Sequence, residues 1–422
     1  MKKKNPLRSA AFMGASLVVI AAAAGCSASS GANGSSGANG DTITIGSLQS
    51  LSGPLAAYGQ ESEAGFKFIV DKINSSGGIK SMGGAKIEIK VADDASDPSK
   101  TASEARRLIG QEGASMIVGT LLTSQMAAVS PIADQFKVPI LSEFAGGTNS
   151  KYLYTLGLPY KDGYSKTFAD FIKYLNTAEN AGIKTAALAS SDYEAGQQVN
   201  NGLQALLPAD GVKVIGDVPL ETGGSNYQPS VTKLDSLHPD VVVGLVTTED
   251  GITLQRARAA VGSNLLFIGG TGGYADQRVW DSLGAKVAAQ TLAKNTFAMT
   301  NFSPNITEGG LQQLLKEAKG ANIGVPIGQN FVQGAQSARV LQQVLEAAKS
   351  NSADAILKAF SQVNIPADSP DLYMARPDGI SFDTSTRFMK NPTAIVVQWN
   401  TDGTQDIVWP TKFAAHKPEL NR

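Results

Sequence analysis

Residues 115–148 read SMIVGTLLTSQMAAVSPIADQFKVPILSEFAGGT. The stretch opens on a short apolar run, Met116-Ile117-Val118, closed by Gly119. Met126, Val129 and Ala133 follow at i, i+3 and i+7, the spacing of a one-sided helix. A second apolar run, Val138-Pro139-Ile140-Leu141, leads to Ala145-Gly146-Gly147-Thr148. The order is strand, loop, helix, strand, loop. Both loops leave the carboxyl ends of buried parallel strands, where open α/β sheets collect their ligands. Thr123 and Ser124 stand where the helix begins and are expected to cap it, and the free N–H groups of its first turn suit a carboxylate. Spacing alone leaves open whether these hydroxyls only cap the helix or also meet a ligand.

The same alternation runs outward from this stretch. Thr42-Ile43-Thr44-Ile45-Gly46 alternates as a strand, and Phe66, Ile69, Val70 and Ile73 mark an amphipathic helix that stops at Asn74-Ser75-Ser76-Gly77-Gly78. Ile87, Ile89 and Val91 alternate again, Asp93-Asp94-Ala95-Ser96-Asp97-Pro98 ends that strand, and a helix is expected near 101–112. Past residue 150 the pattern restarts. Phe168, Phe171, Ile172 and Leu175 mark a helix, 185–189 a strand, Val212, Val214 and Ile215 a strand, and Tyr227, Val231 and Leu234 a helix. The β-branched run 240–246 is a buried strand, and Thr247-Thr248-Glu249-Asp250 caps the helix after it. Residues 265–268 lead to Gly269-Gly270-Thr271-Gly272-Gly273-Tyr274. Beyond Asn295 mostly helices are expected, at 311–319, 334–350 and 353–360, before a hairpin-like pair at 394–399 and 406–408. Two successive βα series predict an α/β protein of two doubly wound lobes.

The first residues carry a different pattern. Lys2, Lys3, Lys4 and Arg8 form a basic region, and 10–24 an apolar one too short and alanine-rich to span a bilayer. Ala23-Ala24-Gly25-Cys26 resembles a bacterial lipobox, in which the cysteine sulfur takes a diacylglyceryl group, although Ala23 stands where that pattern prefers leucine. Cys26 is the single cysteine of 422 residues, which excludes an internal disulfide and a cysteine metal cluster. Ser29-Ser30-Gly31-Ala32-Asn33-Gly34 then repeats as 35–40, a composition that reads as a flexible tether. The expected layout is a signal peptide at 1–25, a lipidated Cys26 with its tether to 40, and a body from 41 held outside the membrane by its lipid.

Formal net charge is −1, and no basic patch favours nucleic acid. Two histidines, His238 and His416, lie away from strand carboxyl ends, and no H-E-x-x-H, G-x-S-x-G or P-loop spacing occurs. No enzyme, cofactor or metal is expected from these residues.

Several segments carry a resemblance in the right order. Ser52-Gly53-Pro54-Leu55-Ala56-Ala57-Tyr58-Gly59, Ile73-Asn74-Ser75-Ser76-Gly77-Gly78-Ile79 and Asp93-Asp94-Ala95-Ser96-Asp97-Pro98 resemble the leucine/isoleucine/valine-type substrate-binding proteins of ABC transporters. Tyr227–Leu234, His238-Pro239-Asp240 and Leu254-Gln255-Arg256-Ala257-Arg258 are similar to later segments of that family. The resemblance implies a type I periplasmic-binding fold, two α/β lobes joined by three crossovers that close on a small-molecule ligand. It places lobe 1 at 41–158 plus 295–376, and lobe 2 with the hinge at 159–294 plus 377–422. It also implies a monomer that delivers solute to an ABC permease, or alternatively a lipoprotein that reports its ligand to a membrane receptor.

Carried over residue by residue, the resemblance makes Tyr58 the aromatic wall of the first loop and Thr123, beside Ser124, the carboxylate binder. Ala145 and Thr148 match the next ligand loop, and Tyr193 the second-lobe tyrosine that closes on the ligand. Thr247 and Thr271 fall in the second-lobe loops. Amino-acid binders carry an acidic residue where this chain has Thr271, and an ammonium without a carboxylate is costly to bury. Glu143, Asp192 and Glu249 are alternative acids, each equally readable as a cap or strand-end carboxylate. Carboxylate-bearing or amide ligands without an ammonium fit the sequence as well as amino acids do, with Tyr58, Phe144, Tyr193 and Tyr274 favouring a flat or apolar body.

Overall fold

The computed structural model describes residues 42–144, 150–270 and 272–420. The expected signal peptide, Cys26 and tether, and the candidate residues Ala145, Thr148 and Thr271, lie outside the described residues.

Twelve strands are present among them: β1 (Thr42–Gln49), β2 (Lys86–Asp93), β3 (Met116–Gly119), β4 (Ile140–Ser142), β5 (Leu153–Thr155), β6 (Thr185–Leu188), β7 (Lys213–Asp217), β8 (Val241–Leu245), β9 (Phe267–Gly270), β10 (Thr296–Thr300), β11 (Ile395–Trp399) and β12 (Gln405–Trp409). They form two sheets, ordered β2-β1-β3-β4-β5 and β12-β11-β10-β9-β8-β6-β7. The first is parallel throughout. The second is parallel from β7 to β10, and β11 and β12 run antiparallel at its edge.

Helices cover both faces, so successive apolar residues of one strand enter different cores. Met116 and Val118 join the cluster that holds Phe66 and Phe331, whereas Ile117 between them joins the one that holds Met126, Val129 and Ala133. Val242 and Val243 of β8 divide in the same way. Helix Ala56–Ser75 lies against helix Gln329–Ala348 closely enough that a Cβ on Gly65 would sit 1.9 Å from the Phe331 carbonyl oxygen. A Cβ on Gly334 would meet the Ser62 carbonyl oxygen at 1.9 Å, so this crossing needs glycine on each helix.

The order reverses at the same place in each sheet. β1 lies between β2 and β3, and β6 between β7 and β8. Connections from the two strands at a reversal diverge and leave a crevice at their carboxyl ends. Tyr58 and Thr123 follow β1 and β3, and Tyr193 and Thr247 follow β6 and β8.

Three details differ from the sequence reading. Asp97 starts a helix rather than only ending a strand. Its side chain accepts from the Ser99 and Lys100 N–H groups at 2.7 and 2.9 Å, with Pro98 at the first helical position. β10 occupies part of the region read as mostly helical and pairs with β9, so the chain leaves the second sheet only after Thr300. Residues Tyr160–Ser165, which show no apolar period, form a π-helical segment after the first crossing.

All three crossings meet at Arg376. Its guanidinium donates to Asn301 Oδ1 at 2.9 Å, to the Thr393 carbonyl at 2.7 Å and to the Leu156 carbonyl at 3.4 Å. The side chain is fully buried, and burial lowers its pKa to about 10, with Tyr164 drawing it back up.

Candidate functional site

The loop after β3 is fixed from inside its helix. Gln125, in the first turn of helix Thr123–Phe136, accepts from the Leu121 and Leu122 N–H groups at 2.9 Å each, and its amide donates to Ser50 Oγ at 3.0 Å and Asp94 Oδ2 at 2.9 Å. The loops after β1, β2 and β3 are thereby tied together. The expectation that Thr123 or Ser124 caps this helix is not met: Leu122 holds the cap position, and Gln125 takes up the N–H groups at the helix entrance. Ser124 is exposed. The Thr123 hydroxyl instead shares a hydrogen bond with the Tyr160 hydroxyl, from the first crossing.

Tyr160 belongs to a tyrosine group that sequence reasoning only half found. Its ring lies 6.3 Å from that of Tyr164. Tyr193, at the start of helix Glu194–Leu206, packs on the second-lobe core with both of them. Burial pushes the Tyr193 pKa up, and Tyr164, Tyr160, Tyr58 and Asp250 push it further. Burial likewise raises that of Tyr164. The Tyr164 and Tyr193 phenols thus stay protonated and remain both donor and acceptor. Tyr160 and Tyr164 were missed because a π-helical turn shows no helical period; Pro159 ahead of them was the one local signal of a break.

Tyr58 stands in the first turn of helix Ala56–Ser75, half-buried, and its hydroxyl bonds to Thr248 Oγ1 across the cleft. The two halves of the crevice therefore touch directly. Thr247 performs the cap read from its sequence, accepting from the Asp250 N–H at 3.2 Å, and its neighbour Thr248 reaches across. A Cβ on Gly272 would lie 2.6 Å from Thr248 Oγ1 and 3.2 Å from the Tyr58 hydroxyl, so the loop after β9 closes on the same point.

The acidic candidates are placed elsewhere. Glu143 is buried and accepts from Gln49 Nε2 at 2.9 Å, Ser62 Oγ at 2.5 Å and Ser337 Oγ at 2.7 Å, and burial raises its pKa. Asp192 accepts from the N–H and the hydroxyl of Thr222, both at 2.8 Å. Glu249 is exposed in the first turn of its helix. A buried carboxylate that was not foreseen, Asp250, accepts from Ser191 Oγ at 2.6 Å, Tyr227 Oη at 2.7 Å and the Gly223 N–H at 2.8 Å. Tyr274, expected to favour a flat ligand, is 1% exposed, and its carbonyl accepts the Trp399 indole N–H at 2.7 Å, so it belongs to the core. Among the described residues no group of His, Cys, Asp and Glu side chains is arranged to hold a metal, and no helix is long and apolar enough to cross a membrane.

The sequence profile of a family described as periplasmic binding protein matches residues 42–404. Leu/Ile/Val-binding protein homolog 7 of Brucella suis biovar 1 (strain 1330) is 27% identical over 392 residues, covering 90% of this chain and 94% of the relative. Among solved structures, the branched-chain amino acid transporter substrate-binding protein LivJ from Streptococcus pneumoniae, in complex with isoleucine, superposes with a TM-score of 0.71 at 19% identity, over 88% of this chain and 100% of that one. A solute-binding protein of an ABC transporter from Rhodopseudomonas palustris BisB5, in complex with 3,4-dihydroxybenzoic acid, gives 0.70 at 22% identity, over 86% of this chain and 95% of that one. These two likenesses establish the fold, that of type I periplasmic binding proteins.

Proposed function

The chain belongs to the periplasmic binding protein family, a family of binding proteins rather than enzymes, and on that premise we propose that it is the solute-capturing component of an ABC importer. In this reading Cys26 carries the lipid that holds a monomeric body outside the membrane, and the body hands its solute to a permease. With the boundary expected at 294/295 moved past β10, which pairs with β9, one lobe takes in 41–158 and 301–376 and the other 159–300 and 377–422. The solute is a small carboxylate-bearing or amide compound, enclosed when the lobes close. The contact from Tyr58 to Thr248 carries the proposal, because it joins the switch-point loops of both sheets over a crevice lined by hydroxyl groups. Tyr58, Thr123, Tyr160, Tyr164 and Tyr193 supply aromatic faces and phenolic or alcoholic donors for such a compound. Ala145, Thr148 and Thr271 complete the proposed site from sequence.

A thermal-shift panel of branched and aromatic amino acids, their deaminated acids and short amides tests this reading. A bound compound at 100 times its Kd adds about 2.7 kcal/mol of stability, visible as a raised Tm. Tyr193→Ala is expected to weaken the best binder by about 1–3 kcal/mol. Unchanged affinity in that variant removes Tyr193 from the site, and a panel without any shift removes the ligand class.

A further inference from the structure

Arg278 lies at the start of the short helix Gln277–Leu283, a few residues after the loop that follows β9. Its Nη2 is 2.6 Å from Asp276 Oδ2, and its Nε is 3.0 and 3.2 Å from the two Asp276 oxygens. From there the guanidinium extends over the other lobe. Its carbon lies 4.8 Å from the centre of the Tyr58 ring, and its Nη1 is 3.7 Å from Glu61 Oε1. Glu61 is buried and also accepts from Asn330 Nδ2 at 2.7 Å. One cation thus stands between carboxylates of opposite lobes, stacked on the tyrosine whose hydroxyl spans the cleft.

Two carboxylates and an aromatic face are what an ammonium group needs in order to leave water. Here the chain's own guanidinium occupies them. The side chain is 32% exposed, so it sits at the mouth of the cleft and not in either core. A solute that brings an ammonium to this point meets a like charge already satisfied, whereas an anionic or neutral head meets none of that repulsion.

We propose that Arg278 is a specificity-determining residue: an internal cation that fills the ammonium place at the cleft mouth, turns the site towards solutes with anionic or neutral heads, and draws the lobes together before any solute binds. The specificity half of this inference rests on the solute-binding reading above, and the closure half does not. Glu61, Asp276 and Glu249 are the acidic neighbours that Arg278 and Tyr58 face, and Arg278 is the basic one.

The test uses the full chain, its Arg278→Gln and Arg278→Lys variants, and the double variant Glu61→Gln/Arg278→Gln. Calorimetric titration with 3-phenylpropanoate and L-phenylalanine measures discrimination between two compounds that differ by the ammonium. The wild type is expected to prefer the acid by about tenfold or more, Arg278→Lys to keep that preference, and Arg278→Gln to cut it to about threefold or less. Adding Glu61→Gln should cancel the gain for the amino acid, because the vacated carboxylate is what the ammonium would use. An unchanged preference in Arg278→Gln overturns the specificity assignment. Small-angle scattering without solute supplies the independent arm: Arg278→Gln should have a larger radius of gyration than wild type, at an unaltered far-UV spectrum. An identical radius overturns the closure assignment. Failure of the wild type to bind either compound or any other of the panel counts against the solute-binding reading and against the specificity half with it, while the scattering comparison still decides the closure half.

Discussion

At the hinge, Arg376 is buried and bonded only to neutral oxygens; at the cleft mouth, Arg278 is a third exposed and lies between carboxylates of both lobes. In the proposed closure the two guanidiniums sit at opposite ends of one conformational change. Closure around a hinge brings cleft residues into contact while the crossings keep theirs. A contact that has to form and break is best made from partly hydrated charges, whose pairing of up to about 1 kcal/mol biases a near-balanced closure without locking it. A contact that has to persist tolerates a desolvated cation, provided that enough oxygens surround it. Burial accordingly lowers the pKa of Arg376. At Arg278 burial acts in the same direction, but the bonds to Asp276 outweigh it and raise the pKa. The difference teaches that the charge pattern, more than the apolar core, distinguishes the fixed end of the molecule from the moving end.

The sharpest way to break this comparison is Arg376→Met. Three crossings lose a shared donor, and the buried Asn301 oxygen and the part-buried Thr393 carbonyl are left without it, so a loss of about 2–4 kcal/mol is expected in denaturant unfolding. An unfolding free energy within experimental error of wild type means that apolar packing alone holds the crossings. A second test separates lobe stability from closure, using a carboxylate whose charged neighbours are Glu143 and Lys67 and neither arginine. Glu63 accepts from Ser47 inside the first lobe, and burial, with Glu143 adding to it, raises its pKa to about 7 from an ordinary value of 4.5. The native state therefore keeps this proton to higher pH than the unfolded chain does. The contribution is fully present below about pH 4.5 and is lost as pH rises through 7, by roughly 3 kcal/mol in all. Glu63→Gln should match wild type near pH 4 and exceed it at pH 8. Parallel pH–stability curves for the two proteins would show that Glu63 ionises freely.

How much of this was legible depends on whether a local period carried it. Met116-Ile117-Val118 and Val241-Val242-Val243 announce buried parallel strands because both faces are covered, and the reversals that form the crevice follow from two repeated βα series. β5 and β10 were not legible: Leu153–Thr155 is only three residues long, and Thr296-Phe297-Ala298-Met299-Thr300 lacks the valine run that marks β8, so their neighbours in the sheet make them strands. Of the proposed site, Tyr58 and Tyr193 were proposed through resemblance, and Thr123 through its place after β3. Thr248 was overshadowed by the cap beside it, since adjacent threonines look alike until the backbone turns one inward and the other across. Arg278 and Glu61 lie 217 residues apart, as their numbers show, and no spacing rule joins them. Asp276 before Arg278, close behind the position where an acid was missed, was the only local hint.

The smallest expected effect separates two roles for Tyr58. Tyr58→Phe removes the hydroxyl that reaches Thr248 and keeps the ring under Arg278. The lost bond is worth about 1 kcal/mol, or roughly fivefold in Kd. As a lobe-to-lobe contact, it raises the Kd of every solute by the same factor, since all of them depend on one closure equilibrium. Were the hydroxyl instead a direct partner of the solute, compounds able to bond it would lose affinity and those unable to do so would lose none. Calorimetric titration of Tyr58→Phe with an acid and with its amide therefore distinguishes a latch from a wall. A uniform loss across the pair sharpens the contrast between the moving end and the fixed end, and a reordering of the pair moves Tyr58 into the solute's own contacts.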